Sequence, residues 1–275
     1  MITLLSSVGN IGRRNMRQVV LLKAIPDVNE IKFDPRSRAP VTAGVKKKIS
    51  ELDKRALEAA IQTKDAVGGE VVVLSMGDDK TNTALLAALA MGADGAYIVI
   101  DPELTGLDTN ATSKVLEAAM KEIGEYDLII SGEMTLDSMS SQIGPRLAEL
   151  LELPQVTYVK EFSVADGKVT AVRDLEDVDE VVEVALPALI TVTREINEPR
   201  IPSLMKIMRA KKKPRIVWDA PALGLEVESI KAMSYVIITD VTAPLVERKQ
   251  IKIEANTVEE VAAKLTEALA GEGVI

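Results

Sequence analysis

The chain of 275 residues contains no cysteine and no histidine, and only 3% of its residues are aromatic. These absences exclude disulfide bonds, a thiolate nucleophile, a Ser-His-Asp triad, cysteine-ligated iron–sulfur clusters and the usual zinc sites. We therefore expect neither catalytic side chains nor metal ligands. Any redox chemistry would be carried by a bound cofactor.

Long apolar runs are also missing, since no stretch approaches the roughly 20 residues that a membrane-spanning helix needs. The first fifteen residues place their arginine pair after the apolar part, which is the wrong order for a secretory signal. Because the regular pattern starts only near Gln18, we interpret residues 1–15 as a disordered extension and Met16 as the natural start. A net charge of −9 disfavours nucleic acid as a partner. The sequence thus predicts a cytoplasmic protein with no membrane span.

Short runs rich in Val and Ile alternate with segments of helical period, and this alternation repeats four times. It predicts an α/β fold, a doubly wound parallel sheet with helices on both faces, spanning residues 16–218. The first helix is predicted to have a cap made by Ser50 and Asp53 and to end at Gly68. The predicted strands cover residues 19–25, 71–76, 96–100, 128–131 and 188–192, and the predicted helices cover about 50–67, 79–92, 109–123 and 138–152.

The alternation of strand-like and helical segments stops between residues 155 and 186. Two extended runs, 156–164 and 168–175, flank Asp166-Gly167, a dipeptide typical of tight hairpins. A third run follows at 180–186. We therefore predict an antiparallel hairpin insertion at the edge of the sheet.

After Trp218 the regular alternation is lost, and an amphipathic helix is predicted only near the end, with Thr257 and Glu260 in capping-box spacing. A connection of this length followed by a lone helix is unusual inside one compact domain. We interpret residues 219–275 as a C-terminal arm that docks on a partner. The alternative is that this segment packs back on its own sheet.

Three segments follow predicted strands at the edge where ligands of open parallel sheets bind, and they begin at Lys23, Ser75 and Ser131. The third, residues 131–142, carries hydroxyl groups just before a predicted helix, where free backbone N–H groups favour phosphate. The alternative is ordinary capping by Asp137 or Ser138, and no glycine-rich phosphate motif is present.

A proline-flanked loop lies within residues 193–214. Pro199 and Pro202 stiffen it, and it presents Ile201 and Leu204 before a basic cluster at residues 209–215. A stiff loop with an apolar tip favours recognition by another protein. The alternative is that the apolar tip folds back on its own core and the basic residues merely follow a helix end.

Together, these segments resemble the beta subunit of electron transfer flavoproteins over about residues 18–215. The resemblance implies a sheet of the adenine-nucleotide-binding type, an alpha subunit as partner, and a loop at 132–142 that wraps the phosphates of AMP or of the ADP half of FAD. The sequence departs from the family at Glu133, where arginine is frequent, and at Ser50-Glu51, where Asn-Pro is common. The matching motifs are Lys23 with Pro26-Asp27, Ala90-Met91-Gly92-Ala93-Asp94, Tyr126-Asp127-Leu128-Ile129-Ile130, Asp137 through Gln142-Ile143-Gly144-Pro145, and Asn197-Glu198-Pro199-Arg200.

A further segment, Gly106-Leu107-Asp108-Thr109-Asn110-Ala111-Thr112-Ser113, resembles the G-x-D-T-x-A-T-S stretch of the electron-bifurcating branch of this family. That resemblance implies FAD in place of AMP, and NADH as a substrate that donates hydride. It also implies redox partners, namely a dehydrogenase or quinone oxidoreductase and a ferredoxin or flavodoxin, with Leu204 as an anchor. The alternative for Asp108 and Thr109 is simple helix capping.

The function expected from this resemblance is that of an NADH-oxidising, bifurcating beta subunit. Two rivals are a non-bifurcating beta subunit with structural AMP and a free-standing nucleotide-binding protein of the universal-stress kind. The predicted cofactor-binding residues are Ala24, Met76, Asp78, Asp108, Thr109, Thr112, Gly132, Thr135, Asp137, Ser138, Met139, Ser140, Ser141 and Gln142.

Overall fold

The computed structural model describes residues 16–245 and 248–275, and the predicted extension at residues 1–15 lies outside these ranges. The described residues form two compact units, one made of residues 16–32 with 41–240 and one made of residues 33–40 with 241–275. No helix in the described ranges is both long and apolar enough to cross a bilayer.

Strands and helices alternate along the part of the chain that the structure describes. The strands are β1 (Arg17–Leu21), β2 (Ala24–Pro26), β3 (Lys32–Phe33), β4 (Pro40–Val41), β5 (Lys47–Ile49), β6 (Glu70–Gly77), β7 (Gly95–Ile100), β8 (Leu128–Gly132), β9 (Gln155–Ala165), β10 (Lys168–Asp174), β11 (Asp179–Ala185), β12 (Ala188–Val192) and β13 (Arg215–Trp218). The α-helices are α1 (Glu51–Val67), α2 (Asp79–Met91), α3 (Thr109–Ile123), α4 (Ile143–Leu150), α5 (Leu204–Ala210), α6 (Val227–Lys231) and α7 (Val258–Gly271).

Nine strands form the central sheet in the order β11-β10-β9-β12-β8-β1-β6-β7-β13. All neighbours from β9 to β13 along this order pair in parallel. The central parallel strands β1, β6, β8 and β12 are largely buried on both faces, which explains their continuous apolar runs. Val20 faces a core shared with Leu57 of α1 and Leu85 of α2, whereas Val19 faces a core shared with Val115 of α3 and Leu147 of α4. The predicted doubly wound α/β fold is therefore confirmed.

The antiparallel insertion is also confirmed. β10 pairs antiparallel with both β9 and β11, and Ala165 lies opposite Lys168 across the predicted turn. Because β9 also pairs in parallel with β12, the insertion continues the central sheet instead of forming a separate layer.

The first predicted strand, residues 19–25, was too long. β1 ends at Leu21, and β2 pairs antiparallel with β5 in a separate two-stranded ribbon. The chain leaves the main sheet here because the backbone N–H of Lys23 donates to the Asp53 carboxylate, 2.7 Å away. The predicted cap of α1 is accordingly wrong, since Ser50 makes no side-chain cap hydrogen bond and Asp53 is engaged elsewhere. The predicted end at Gly68 is confirmed, because its N–H donates to the Lys64 carbonyl at 2.8 Å.

The helix predicted at residues 138–152 begins only at Ile143. Met139 and Ser141 have φ values of 48° and 53°, in the left-handed region that a right-handed helix cannot accommodate. The hydroxyl-rich segment before Ile143 is therefore a loop and not a helical first turn.

In the second unit, Thr257 caps α7 by accepting a hydrogen bond from the Glu260 N–H at 3.2 Å. The Glu260 carboxylate reaches back to the N–H of Asn256 at 3.1 Å, one residue before the position that a capping box requires. No residue of α7 is buried.

Candidate functional site

The carboxyl ends of β1 and β8 form a topological switch point in the sheet. From β1 the chain adds β6 and β7 on one side, and then returns to place β8 on the other side. Ligands of open parallel sheets bind outside the carboxyl ends of strands at such a point. The segments that leave these two strands begin at Lys23 and Gly132.

Asp53 in the first turn of α1 joins these two segments. It is buried, its carboxylate accepts the Lys23 N–H, and it also accepts a hydrogen bond from the backbone of Gly132. Burial raises the pKa of Asp53 to about 7, and the two backbone hydrogen bonds only partly oppose this rise. The close approach requires glycine, because a Cβ at position 132 would lie 2.8 Å from Asp53 Oδ1 and 2.8 Å from Leu52 Cβ.

The loop after β8 is held by its own polar side chains. Thr135 Oγ1 donates to Asp137 Oδ1 at 2.7 Å and lies 3.1 Å from Ser138 Oγ. The Thr135 carbonyl accepts the N–H of Met139 at 2.8 Å. The two left-handed residues, Met139 and Ser141, then turn the chain toward α4.

An ion pair connects this loop to the end of β1, since Lys23 Nζ lies 2.6 Å from Asp137 Oδ2. Partial burial opposes ionisation of Asp137, but the hydrogen bonds from Lys23 and Thr135 outweigh it and lower the pKa of its carboxyl group. Asp137 is therefore a carboxylate at neutral pH, and its charge is balanced by Lys23.

The first turn of α3 borders the same loop. Thr109 Oγ1 donates to Gln142 Oε1 at 2.6 Å, which joins the two segments that the sequence singled out independently. Thr112 lies one turn further along α3 and is half-buried.

Asp108 has a structural role at this helix start. Its carboxylate accepts N–H groups of Ala111 at 2.9 Å, Tyr235 at 2.8 Å and Val236 at 3.1 Å. Burial would raise the pKa of Asp108, but these backbone hydrogen bonds lower it overall. Asp108 thus caps α3, as the alternative interpretation proposed. Its bonds to Tyr235 and Val236 also hold residues 235–236 against the start of this helix.

Three predicted residues lie at other strand ends. Ala24 is buried in β2, and Met76 is half-buried near the end of β6. Asp78 caps α2 by accepting the Thr81 N–H at 3.1 Å and pairs with Lys47 at 3.0 Å. Within the described part of the chain, no hydrogen bond joins these three residues to the loop after β8.

The remaining predicted residues belong to that loop. Ser140 and Ser141 are half-buried, whereas Met139 has 61% of its surface exposed. Glu133, the departure from the family pattern, donates its N–H to the Val192 carbonyl at 3.0 Å and so lies beside β12.

Sequence reasoning did not single out Asp53, Asn110 or Arg146 as site residues. Arg146 donates to Gln142 Oε1 at 3.2 Å and to Asn110 Oδ1 at 3.1 Å. The spacing of Gln142 and Arg146, four residues apart at a helix start, is a signal that could have indicated this contact. No local pattern could have indicated that Asp53 reaches segments far away along the chain.

The proline-flanked loop is fixed to α1 by buried charges. Glu58 is buried and accepts hydrogen bonds from Arg200 N at 3.1 Å and Arg200 Nε at 2.9 Å. Asn197 Nδ2 donates to the Arg55 carbonyl at 3.0 Å, and its own carbonyl accepts a hydrogen bond from the Arg55 guanidinium. The loop is thereby held rigidly at its base.

The tip of this loop and the helix that follows are exposed. Ile201 is 94% exposed and Leu204 is 75% exposed, so the alternative that they fold back on the core is wrong. Met205 and Met208 on α5 extend the same apolar surface. In the basic cluster, Lys213 is instead engaged with backbone carbonyls at the end of α2.

Comparison with known proteins places this site in a family. The family profile described as electron transfer flavoprotein domain matches residues 40–223. The electron transfer flavoprotein subunit beta of Thermoanaerobacterium thermosaccharolyticum is 41% identical over 201 residues, which cover 73% of this chain and 77% of that protein. The caffeyl-CoA reductase-Etf complex subunit CarD of Acetobacterium woodii is 39% identical over 215 residues, covering 78% and 82%.

A third relative is the protein FixA of Azotobacter vinelandii, 33% identical over 246 residues, which cover 86% of this chain and 88% of the relative. The family profile covers most of the chain and includes β8, the loop after it and the start of α3, and each of these relatives is matched over more than two thirds of the chain. The chain therefore belongs to the electron transfer flavoprotein family, as one of its beta subunits.

Proposed function

We propose that this chain is the beta subunit of a heterodimeric, electron-bifurcating electron transfer flavoprotein. In this proposal it binds FAD between the loop at residues 132–142 and the first turn of α3. Bound FAD would supply the redox chemistry, namely acceptance of hydride from NADH and delivery of single electrons to a high-potential and a low-potential acceptor. The chain itself would bind and orient the cofactor.

The observation that carries this proposal is the 2.6 Å hydrogen bond from Thr109 to Gln142. Thr109 belongs to the segment that resembles the bifurcating branch, and Gln142 ends the loop that resembles the phosphate-binding segment. Since the two segments touch, a dinucleotide lying along the loop would also meet the start of α3.

The side chains around the loop fit a phosphorylated nucleotide. Arg146 supplies positive charge at one end of the loop, and Thr135 and Ser138 supply hydroxyl groups along it. Free N–H groups at the start of α4 favour phosphate as well, because the helix dipole is positive there. Asp137 does not oppose an anion strongly, because Lys23 already balances its charge.

Orientation of the flavin would depend on Thr109 and Thr112 more than on Asp108. The Asp108 carboxylate is already occupied by three backbone N–H groups. We therefore assign Asp108 to shaping the start of α3, while the Thr112 hydroxyl group and the oxygen of the Thr109 hydroxyl group, which can still accept a hydrogen bond, are left for the ligand.

Two surfaces would serve partners. The apolar side of α7 is unburied, with Val258 79% exposed and Leu265 46% exposed, which supports docking of this helix on the alpha subunit. The beginning of the predicted arm instead packs in the first unit, where Leu223 and Ile230 are buried. The tip formed by Ile201 and Leu204 would receive redox partners, a dehydrogenase or quinone oxidoreductase and a ferredoxin or flavodoxin.

The loop after β8 suits AMP as well as FAD, so the cofactor content is the deciding measurement. The chain would be co-expressed with its alpha subunit, and cofactors extracted from the purified heterodimer would be quantified. We expect two FAD and no AMP per heterodimer, and reduction of flavin by NADH without oxygen. One FAD with one AMP, and no response to NADH, would show the non-bifurcating form.

Variants refine this experiment. Thr109→Val should lower the FAD content, because the hydroxyl bonded to Gln142 is lost. Thr105→Val is the matched control, since Thr105 is exposed and its hydroxyl group donates to the Pro102 carbonyl at 2.9 Å, away from the loop. Equal FAD content in both variants would remove the contact between α3 and the loop from the proposal.

A further inference from the structure

A relay of hydrogen bonds runs beside the loop, from the backbone of Met233 to the side chain of Gln142. Asn110 Nδ2 donates to the Met233 carbonyl at 2.9 Å, and Asn110 Oδ1 accepts from an Arg146 guanidinium nitrogen at 3.1 Å. Arg146 Nε then donates to Gln142 Oε1 at 3.2 Å. The same Gln142 oxygen accepts the hydroxyl hydrogen of Thr109.

The chemistry of arginine fixes the direction of this relay. A guanidinium group has only donors, so the amide atom of Gln142 that faces Arg146 must be its oxygen. The assignment of Asn110 is consistent, because a carbonyl only accepts and therefore selects the amide nitrogen for Met233. Each amide is thus held in one of its two possible orientations.

Because the oxygen of the Gln142 amide is held in place, the position of its NH₂ group is fixed as well. Its oxygen accepts two hydrogen bonds, whereas its NH₂ group bonds to no other group in the described part of the chain. Gln142 is exposed and lies at the end of the loop after β8. Its side chain therefore offers two N–H donors to a ligand, because its oxygen already accepts hydrogen bonds from Thr109 and Arg146.

Arg146 itself is not neutralised. No carboxylate in residues 16–245 or 248–275 lies within ion-pair distance of its guanidinium group, and both of its bonds go to neutral amide oxygens. A surface arginine with no positioning role would extend into solvent, whereas Arg146 donates to the side-chain oxygens of both Gln142 and Asn110. Its contacts are those of a group that sets the orientation of its neighbours.

We propose that Arg146 is a positioning residue of the nucleotide site, which acts by holding the Gln142 amide so that its NH₂ group donates to the bound ligand. The matching ligand group is a hydrogen-bond acceptor, such as a phosphate oxygen or a flavin carbonyl. This inference rests on the proposed nucleotide site and assigns a role that the proposed function leaves open.

The test is a double-mutant cycle on the full chain in complex with its alpha subunit, after removal of the bound cofactors. Binding of AMP and of FAD would be titrated by calorimetry to the parent complex, Arg146→Met, Gln142→Ala and the double variant. We expect about tenfold weaker binding for each single variant, because a hydrogen bond to a charged or oriented partner contributes about this much. The double variant should bind no more weakly than Gln142→Ala alone.

Two controls isolate the mechanism. Lys121→Met removes an exposed cation of α3, paired with Glu117 at 2.7 Å, and should leave both affinities unchanged. Gln142→Glu keeps an oxygen that can accept from Arg146 but replaces the donating NH₂ group by a second carboxylate oxygen. This variant should bind AMP and FAD more weakly than Gln142→Ala does. Unfolding curves of the free complexes verify that each variant folds.

The outcomes separate this inference from the proposed function. If neither AMP nor FAD binds the parent complex, the nucleotide site itself is wrong. If the parent binds but the losses from Arg146→Met and Gln142→Ala add, Arg146 contacts the ligand directly and the positioning role is wrong. Binding by Gln142→Glu equal to that of the parent would also overturn it.

Discussion

The carboxylate of Asp53 accepts the backbone N–H of Lys23 at 2.7 Å, and this bond fixes where the chain leaves the central sheet. The same carboxylate bonds the backbone of Gly132, so one buried side chain sets the distance between the two segments that flank the switch point. Asp53 is 4% exposed, and the charges that act on it are those of Lys23 and Asp137. A buried carboxylate in this position makes stability depend on pH.

The first prediction concerns Asp53→Asn. Because the folded pKa of about 7 lies above the ordinary aspartate value of 3.8, the folded chain keeps a proton that the unfolded chain releases between these values. The contribution of Asp53 to stability is therefore fully present below pH 4 and is lost as pH rises to about 7, with a slope of at most about 1.4 kcal/mol per pH unit. Urea unfolding at several pH values should show this decline in the parent relative to Asp53→Asn.

The control for this comparison is Glu51→Gln in the same turn of α1, because Glu51 is exposed and pairs with the neighbouring Lys54 at 3.1 Å. Its stability should differ little from that of the parent, since exposed ion pairs contribute little. A constant difference between Asp53→Asn and the parent at all pH values would mean that the Asp53 pKa is not raised in the folded chain.

Gly132→Ala is expected to destabilise the protein. The added methyl group would lie 2.8 Å from Asp53 Oδ1 and 2.9 Å from the backbone of Leu52, and backbone cannot move as a flexible side chain can. Overpacking of this kind costs about 1–3 kcal/mol. Urea unfolding would measure the loss, with Gly271→Ala as control, since a Cβ at position 271 meets nothing within 4 Å. Equal stability of the two variants would show that α1 and β8 can separate without cost.

The ion pair below the partner-facing loop gives a third prediction. Glu58 is 3% exposed, and Arg200 is its cation, so Arg200→Met leaves a buried carboxylate without a balancing charge, although the side chain of Gln62 and the backbone N–H of residue 200 still donate to it. Because Arg200 is partly exposed, we expect a loss of about 2 kcal/mol, below the range for fully buried pairs. The double variant Glu58→Met/Arg200→Met should recover part of that loss, since the uncompensated charge is gone.

The matched control is Lys168→Met, which breaks the exposed pair with Glu183 on the hairpin and should not change stability measurably. Thermal unfolding of all three variants would decide the matter. A double variant less stable than Arg200→Met would show that Glu58 is tolerated without its cation.

Sequence patterns predicted the architecture because parallel strands carry a strong local signal. Residues 71–75 and 188–192 are buried on both faces, so their apolar runs are continuous. The turn at Asp166-Gly167 needs two residues with positive φ, which Asp-Gly adopts readily. β13 escaped prediction because it is an edge strand whose Ile216 and Val217 are exposed and follow a basic cluster.

The candidate site was predictable as a location but not as a geometry. Its loop was identified from hydroxyl-rich composition, yet the left-handed φ values of Met139 and Ser141 that delay α4 have no signature in residues that are not glycine. The role of Asp53 depends on a contact with Gly132, 79 residues away in sequence numbering (132 − 53), and local capping rules assigned it instead to its own helix. Polar contacts between residues so far apart in sequence form only when the fold brings them together, so a local sequence pattern cannot predict them.

The last prediction concerns Leu204, whose side chain is 75% exposed at the start of α5. Leu204→Glu should leave the unfolding midpoint unchanged, because the side chain packs against little of its own chain. It should weaken docking of a redox partner, since replacing an exposed apolar anchor by a charge removes a contact that would be buried in the complex. Stopped-flow kinetics of the heterodimer would show slower oxidation of reduced flavin by the acceptor, by about tenfold or more. Reduction by NADH should be unaffected.

The control for the added charge is Val181→Glu, on the edge strand β11 and 68% exposed. If Val181→Glu slowed the acceptor reaction as much as Leu204→Glu, net charge and not the loop tip would govern partner docking.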